Sequence, residues 1–142
     1  MQPQTNSHQK CRKILIIDDN MFILNLIKNI LRSNDSIIST SQSGEEGYEL
    51  ACMQHPDIIL LDRRLNDTNG DKILKRIKTN PKTQDIPVAM ISSDDNDKHI
   101  LQSLSLGAAD YIVKPFNAKT VISKVKRLIN KTPPPTGGYY FV

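Results

Sequence analysis

Short, continuously apolar segments alternate along this chain with longer segments whose apolar residues recur at helical spacing. Residues 14–17 and 58–61 are the clearest short segments, and residues 21–32 are a good example of a long one. A continuous apolar run is typical of a strand covered on both faces, and parallel strands need a covering helix in each crossover. The alternation therefore predicts an α/β fold, a doubly wound parallel sheet with helices on both faces.

The sequence predicts five strand–helix units in this order. The predicted strands are 14–17, 36–40, 57–61, 88–91 and 110–113, and the predicted helices are 21–32, 43–54, 71–79, 95–106 and 121–129. The second strand is short and bordered by polar residues, which suits the edge of a sheet. His55 and Pro56 end the second helix, and Gly107 is a suitable left-handed cap for the fourth.

A chain of 142 residues is about the size of one domain. We expect that domain to occupy residues 13–131. Residues 1–12 are polar and are predicted to be a disordered N-terminal tail. Residues 132–142 are rich in Pro and Gly, which indicates either a C-terminal tail or a linker to a further module.

The sequence also indicates a cellular compartment. The two cysteines, Cys11 and Cys52, have no CxxC or Cys/His spacing, so free thiols in a reducing cytosol are favoured over a zinc site or disulfides. The first residues lack the apolar core of a signal peptide, and no run approaches the roughly 20 apolar residues that span a membrane. We therefore expect a cytoplasmic protein with no membrane partner.

A net charge of +4 raises the question of nucleic-acid binding, because a basic surface attracts phosphates. The 19 basic residues are scattered and alternate with apolar residues at helical spacing. Such a pattern is typical of solvated helix faces, and no aromatic residues are interleaved for base stacking. We therefore expect no direct nucleic-acid contact by this chain.

Polar residues follow four of the five predicted strands at the point where each strand ends. Asp18 and Asp19 follow the first strand, Asp62 the third, Ser92 the fourth and Lys114 the fifth. A single Asp or Ser in such a place is usually no more than the cap of the next helix. Because ligands of open α/β sheets bind beyond the carboxyl ends of the strands, the coincidence predicts one shared site.

The residue types at this site favour phosphoryl chemistry. Three carboxylates in one crevice repel one another unless a cation lies between them, and an all-oxygen site suits Mg²⁺ or Mn²⁺. Lys114 supplies a positive charge and Ser92 a hydroxyl donor for phosphoryl oxygens. A carboxylate can itself be the nucleophile and form an aspartyl-phosphate.

These motifs resemble those of the receiver domains of bacterial-type response regulators. Asp18 and Asp19 are similar to the family's acidic pair, residues 57–62 to its phospho-acceptor strand, Ser92 to its Ser/Thr, and residues 114–116 to its Lys-Pro-Phe turn. The spacings from Asp19 to the acceptor, then to the Ser and the Lys, are 43, 30 and 22 residues. The resemblance covers residues 13–131 and implies a flavodoxin-like, five-stranded sheet of strand order 2-1-3-4-5 with five helices.

The resemblance implies a role for each site residue. Asp62 would accept a phosphoryl group from a histidine kinase or a histidine phosphotransfer protein of a two-component or phosphorelay system, with help from Lys114. Mg²⁺ would be bound directly by Asp19, Asp62 and the backbone carbonyl of Arg64, and by Asp18 mainly through water. Such a protein is no enzyme for an external substrate, since it catalyses only its own phosphorylation and dephosphorylation.

The resemblance also implies a switch. Ser92 would turn toward the phosphoryl group and Tyr111 would follow it inward, which changes the face formed by helix 4, strand 5 and helix 5. That face would contact a downstream protein or an attached output module, and phosphorylation could promote a dimer. Taken without the resemblance, Tyr111 also fits a half-buried strand aromatic whose hydroxyl lies in water.

Two features depart from the family's pattern. The loop after the acceptor often carries Met-Pro, where this chain has Leu65 and Asn66, so a less rigid loop is expected. Arg64 places a cation two residues beyond the acceptor, where it either pairs with Asp94 or Asp95 or points into solvent. The lifetime of the phosphorylated state is left open by these residues.

Two other functions use similar residues. Haloacid-dehalogenase-type phosphatases combine an Asp nucleophile with Ser/Thr, Lys and Mg²⁺, but in an Asp-x-Asp pattern on the first strand, whereas Arg64 stands two residues after Asp62 here. Hydrolysis of a small phosphate ester would favour that class. A receiver-like interaction module that phosphate does not regulate is the other alternative, favoured if Asp62 does not react with acetyl phosphate and Mg²⁺.

Overall fold

The structure, a computed structural model, describes residues 11–131, which form one parallel sheet of five strands covered by five helices. The strand order is β2-β1-β3-β4-β5, so the predicted flavodoxin-like, doubly wound α/β fold is confirmed. No helix in this part of the chain is both long enough and apolar enough to cross a membrane. The elements are β1 (Arg12–Ile17), α1 (Met21–Leu31), β2 (Ser36–Ser41), α2 (Gly44–Gln54), β3 (Ile58–Asp62), α3 (Gly70–Thr79), β4 (Val88–Ser92), α4 (Asp97–Ser105), β5 (Asp110–Val113) and α5 (Ala118–Ile129).

Most element ends agree with the sequence prediction. The largest difference is at α5, which begins at Ala118, three residues before the predicted start, because the side chain of Asn117 caps it there. β1 begins at Arg12, inside the segment predicted as a tail, because the amide of Arg12 donates to the carbonyl of Asp35 at 2.8 Å. α4 begins two residues later than predicted, because the side chain of Asn96 caps it there. The predicted segment 132–142 and nearly all of the predicted N-terminal tail lie outside the described residues.

Each helix begins after an Asn or Ser whose side-chain oxygen accepts a backbone N–H of the first turn. These contacts satisfy amides that have no partner within the helix. At the other end of α2, His55 adopts the left-handed conformation (φ 47), and Gly107 after α4 does so with φ 113, as predicted. The N-caps are Asn20, Ser43, Asn69, Asn96 and Asn117.

The sheet has a hydrophobic core on each face because successive residues of a strand point to opposite faces. Leu15 and Leu61 pack with residues of α2 and α3 on one face, and Ile16 and Leu60 pack with residues of α1 and α5 on the other. All four side chains are at most 1% exposed, and burying each contributes about 1.5–3 kcal/mol. β1 and β3 are thus held from both sides, which fixes the positions of their carboxyl ends.

Candidate functional site

The carboxyl ends of β1, β3, β4 and β5 lie side by side at one edge of the sheet. Asp18 directly follows β1, Asp62 ends β3, Ser92 ends β4 and Lys114 directly follows β5. A backbone hydrogen bond connects Ser92 and Lys114, since the amide of Lys114 donates to the carbonyl of Ser92 at 2.8 Å. The fold therefore places these polar residues at one edge.

Asp18, Asp19 and Asp62 form a compact cluster of carboxylates, with one oxygen of each lying within 4.8 Å of the others. Asp18 and Asp62 are buried, and Asp19 is partly exposed. Burial, together with the negative charge of Asp18, raises the pKa of Asp62 to about 6. The carboxylates therefore repel one another in the folded protein.

Lys114 brings a positive charge into this cluster. Its Nζ lies 2.9 Å from Asp18 Oδ2 and 3.2 Å from Asp62 Oδ2. Burial lowers the pKa of Lys114, but the hydrogen bond to Asp18 and the charges of both carboxylates outweigh it, so the pKa is raised. Lys114 therefore stays protonated and bridges the ends of β1 and β3. The peptide bond between Lys114 and Pro115 is cis.

The carboxylate cluster fits a hard divalent cation. One lysine does not neutralise three carboxylates, and the all-oxygen donor set suits Mg²⁺ or Mn²⁺. The backbone orients two of these donors, since the amide of Asn20 donates to Asp18 Oδ1 at 2.8 Å and the amide of Arg64 to Asp62 Oδ1 at 3.1 Å. The carbonyl of Arg64 as a further ligand stays a prediction.

Ser92 and Tyr111 both contact the main chain of one residue, Asp94. Ser92 is buried, and its Oγ accepts the amide of Asp94 at 3.1 Å. Tyr111 is 8% exposed and its hydroxyl donates to the carbonyl of Asp94 at 2.7 Å. Burial raises the pKa of that hydroxyl. The alternative in which Tyr111 is half-buried with its hydroxyl in water is therefore wrong.

The loop after Asp62 is anchored although it lacks the Met-Pro pair. The carboxylate of Asp67 accepts the amides of Gly44 at 2.9 Å and Glu45 at 3.1 Å, which holds the pKa of Asp67 below its ordinary value. Arg64 is mostly exposed, and its Nη2 lies 3.5 Å from Asp94 Oδ2. The Asp94 pairing considered for Arg64 is thus present, as a long and solvated contact.

Arg63 is the main residue that the sequence did not single out. Its side chain is 8% exposed and lies between Asp94, at 3.1 Å from Nη1, and Asp71, at 3.3 Å from Nη2. The only local signal in the sequence is an arginine placed directly after a buried strand. Charged side chains are rarely buried unless they are paired, so the burial of Arg63 could be predicted only if its partners Asp71 and Asp94 were already known.

An acidic cluster with a lysine, at the carboxyl edge of a 2-1-3-4-5 sheet, defines the receiver class of signalling domains. The response regulator receiver domain model matches residues 14–126. The chain therefore belongs to the response regulator receiver domain family, and the predicted resemblance is confirmed.

Individual relatives agree with this assignment. The chain is 34% identical over 119 residues to the nisin biosynthesis regulatory protein NisR of Lactococcus lactis, an alignment covering 84% of this chain and 51% of NisR. It is 30% identical over 123 residues to the phosphate regulon transcriptional regulatory protein PhoB of Pseudomonas aeruginosa, covering 87% of this chain and 54% of PhoB. The chain thus spans about half the length of these curated relatives. A CheY-like receiver domain protein from Methanospirillum hungatei has the same fold, with a TM-score of 0.80, 24% identity and coverage of 86% of this chain and 96% of that one.

Proposed function

We propose that this receiver domain accepts a phosphoryl group on Asp62 from a phosphohistidine of a histidine kinase or a histidine phosphotransfer protein. The observation that supports this most is the position of Asp62, a buried carboxylate with two others within 4.8 Å and the Lys114 ammonium at 3.2 Å. An oxygen of Asp62 forms a bond to phosphorus as the bond from phosphorus to the histidine nitrogen breaks. The products are an aspartyl-phosphate on this chain and an unphosphorylated histidine on the donor.

Each group of the site has a separate task in this proposal. Bound Mg²⁺ or Mn²⁺ would supply positive charge against the phosphoryl oxygens. Asp19, Asp62 and the carbonyl of Arg64 would hold it directly, and Asp18 through water. Lys114, already between two carboxylates, stabilises the charge that develops on the transferred group.

Ser92 and Tyr111 would carry the signal outward. The Ser92 oxygen accepts the amide of Asp94, and its hydroxyl would turn to donate to a phosphoryl oxygen once Asp62 is phosphorylated. Phosphorylation adds roughly −1.5 to −2 charge and biases an equilibrium between two packings of this region. The face formed by α4, β5 and α5 exposes Leu101, Leu104 and Val113 and would contact a downstream protein, an output module or a second copy.

The remaining expectations about the whole protein are also proposals. We place it in the cytoplasm, with no membrane partner. No direct nucleic-acid contact by this chain is expected, although PhoB is a transcriptional regulatory protein and the chain spans about half of it. The receiver would catalyse only its own phosphorylation and dephosphorylation.

The proposal is tested by incubating the protein with acetyl phosphate and Mg²⁺ and following the intact mass. The mass should rise by one phosphoryl group, only when Mg²⁺ is present and not in Asp62→Asn. Asp57→Asn, at the opposite end of the same strand region, is the matched control and should be phosphorylated like the wild type. No mass increase in the wild type would favour a phosphate-independent interaction module, and turnover of a small phosphate ester would favour a phosphatase.

A further inference from the structure

Arg63 is a buried arginine with no task in the phosphoryl transfer proposed above. It directly follows Asp62 in the chain, and its guanidinium lies between the carboxylates of Asp71 and Asp94. Taking a charged side chain out of water is costly, so burial of an arginine depends on its partners. The position of Arg63 is therefore set by these two carboxylates, which belong to different parts of the fold.

Asp94 connects Arg63 to the two residues that would respond to phosphorylation. It lies in the loop between β4 and α4, where its amide donates to Ser92 Oγ and its carbonyl accepts the Tyr111 hydroxyl. The carboxylate of the same residue is 3.1 Å from the guanidinium of Arg63. A displacement of Asp94 would thus change the surroundings of both Ser92 and Tyr111.

Asp71 supports the other side of the guanidinium. It lies in the first turn of α3, its side chain is buried, and its Oδ1 accepts the hydroxyl of Ser103 from α4 at 2.7 Å. These contacts tie α3 and α4 to the residue next to the acceptor. Arg63 therefore pairs with Asp71 of α3 on one side and with Asp94 of the β4–α4 loop on the other side.

We propose that Arg63 is a positioning residue that fixes the β4–α4 loop relative to Asp62. Arg63 directly follows Asp62 in the chain, so its ion pair with Asp94 fixes the position of Asp94 relative to Asp62. That position determines the location of the Ser92 hydroxyl and of the Asp94 carbonyl to which the Tyr111 hydroxyl donates. The effect on the phosphorylation rate rests on the proposed function. The effect on Tyr111 belongs to the unphosphorylated protein and is measured without any phosphoryl donor.

The test uses 3-fluorotyrosine-labelled full chain and ¹⁹F NMR, with the Tyr111 resonance assigned from Tyr111→Phe. Asp94→Asn and Arg63→Met should each move that resonance and lower the initial rate of phosphorylation by acetyl phosphate about tenfold, since misplaced groups slow transfer. The double variant should be no worse than either single variant, because both remove the same contact. Should Arg63→Met not fold, Asp94→Asn compared with His99→Ala and Arg64→Met decides the question, since Asp94→Asn keeps the pair between Arg63 and Asp71 and the other two remove the remaining side-chain contacts of the Asp94 carboxylate.

A matched control is provided by Arg76→Met. Arg76 belongs to an exposed pair with Glu45 at 2.7 Å and lies over the ring of Tyr48 at 4.0 Å. Its removal should move the Tyr48 resonance and leave Tyr111 and the phosphorylation rate unchanged. This control shows that the NMR signal reports local contacts rather than general loosening of the domain.

Two results would overturn the role of Arg63. One is an unmoved Tyr111 resonance in a folded Arg63→Met protein, whatever Asp94→Asn does. The other is that His99→Ala or Arg64→Met, which remove the remaining side-chain partners of the Asp94 carboxylate, reproduces the effect of Asp94→Asn. The two effects can also separate. If the Tyr111 resonance moves in Arg63→Met and Asp94→Asn but the wild-type protein takes no phosphoryl group, the proposed function is refuted and the positioning of Tyr111 is supported.

Discussion

Replacing Gly70 with alanine tests how closely α3 approaches the acceptor strand. A β-carbon at Gly70 would lie 2.1 Å from the carbonyl oxygen of Asp62 and 2.8 Å from the Cα of Arg63. Both are main-chain atoms, so neither can swing aside as the end of a flexible side chain would. To lengthen the closer contact to 3.0 Å, the end of β3 and the start of α3 must separate by about 1 Å.

This separation has consequences for stability and for the site. Overpacking of a tight contact costs about 1–3 kcal/mol, and the hydrogen bond from the Gly70 amide to the Arg63 carbonyl, 2.6 Å long, is stretched as well. We therefore expect Gly70→Ala to lower the free energy of unfolding by about 2–3 kcal/mol. A misplacement of about 1 Å near a reacting group can lower its rate about 100-fold, so we expect that loss in phosphorylation by acetyl phosphate.

Urea denaturation measures the first effect, and the initial rate of mass increase with acetyl phosphate and Mg²⁺ measures the second. Gly107→Ala is the control, since Gly107 has φ 113 and its added β-carbon would lie 2.9 Å from the side chain of Lys78, far along the chain from the acceptor. It should lose about 1 kcal/mol because alanine disfavours this conformation, yet keep the wild-type phosphorylation rate. A Gly70→Ala protein that is phosphorylated as fast as the wild type would refute the reasoning.

Three further substitutions test other contacts. Asp67→Ala removes the acceptor of two α2 amides and should lower the free energy of unfolding by about 1 kcal/mol at pH 7 in urea denaturation. Those hydrogen bonds lower the pKa of Asp67, so its stabilising effect is present above the ordinary pKa of Asp and is lost as the pH falls through the lowered pKa. A stability difference between wild type and Asp67→Ala that does not change with pH would contradict this. Asp110→Ala removes a buried partner of two basic side chains of α5, and urea denaturation should show a loss of about 3 kcal/mol, whereas wild-type stability would contradict the assignment. Lys114→Met should lower the initial phosphorylation rate about 100-fold, and an unchanged rate would remove Lys114 from the proposed site.

The sequence was sufficient for the fold and for the carboxylate cluster. The apolar run of residues 58–61 has no polar alternation, which predicts a strand buried on both faces. Parallel strands bring their carboxyl ends to one edge, so the clustering of Asp18, Asp62 and Lys114 followed from topology. The Asn N-caps were harder to predict, because Asn is equally typical of turns. Asn96 shows the consequence, since α4 begins after it and not at residue 95.

The long-range polar contacts could not be predicted from the sequence. Arg63 finds its partners eight and 31 residues further along the chain, at Asp71 and Asp94, and Asp67 accepts an amide 23 residues before it, at Gly44. No local period or motif relates such positions. A charged residue after a strand is ordinarily exposed, so the burial of Arg63 is visible only once the fold brings both carboxylates to it.

We propose Asp62 as the phospho-acceptor, and locating the modified residue tests this assignment most directly. The protein is phosphorylated with acetyl phosphate and Mg²⁺ and treated with borohydride, which reduces an acyl phosphate to an alcohol and converts the aspartate to homoserine. Peptide mass mapping then finds the converted residue. We predict homoserine at position 62 alone; conversion at Asp18, Asp19 or any other carboxylate, with Asp62 unchanged, would contradict the claim.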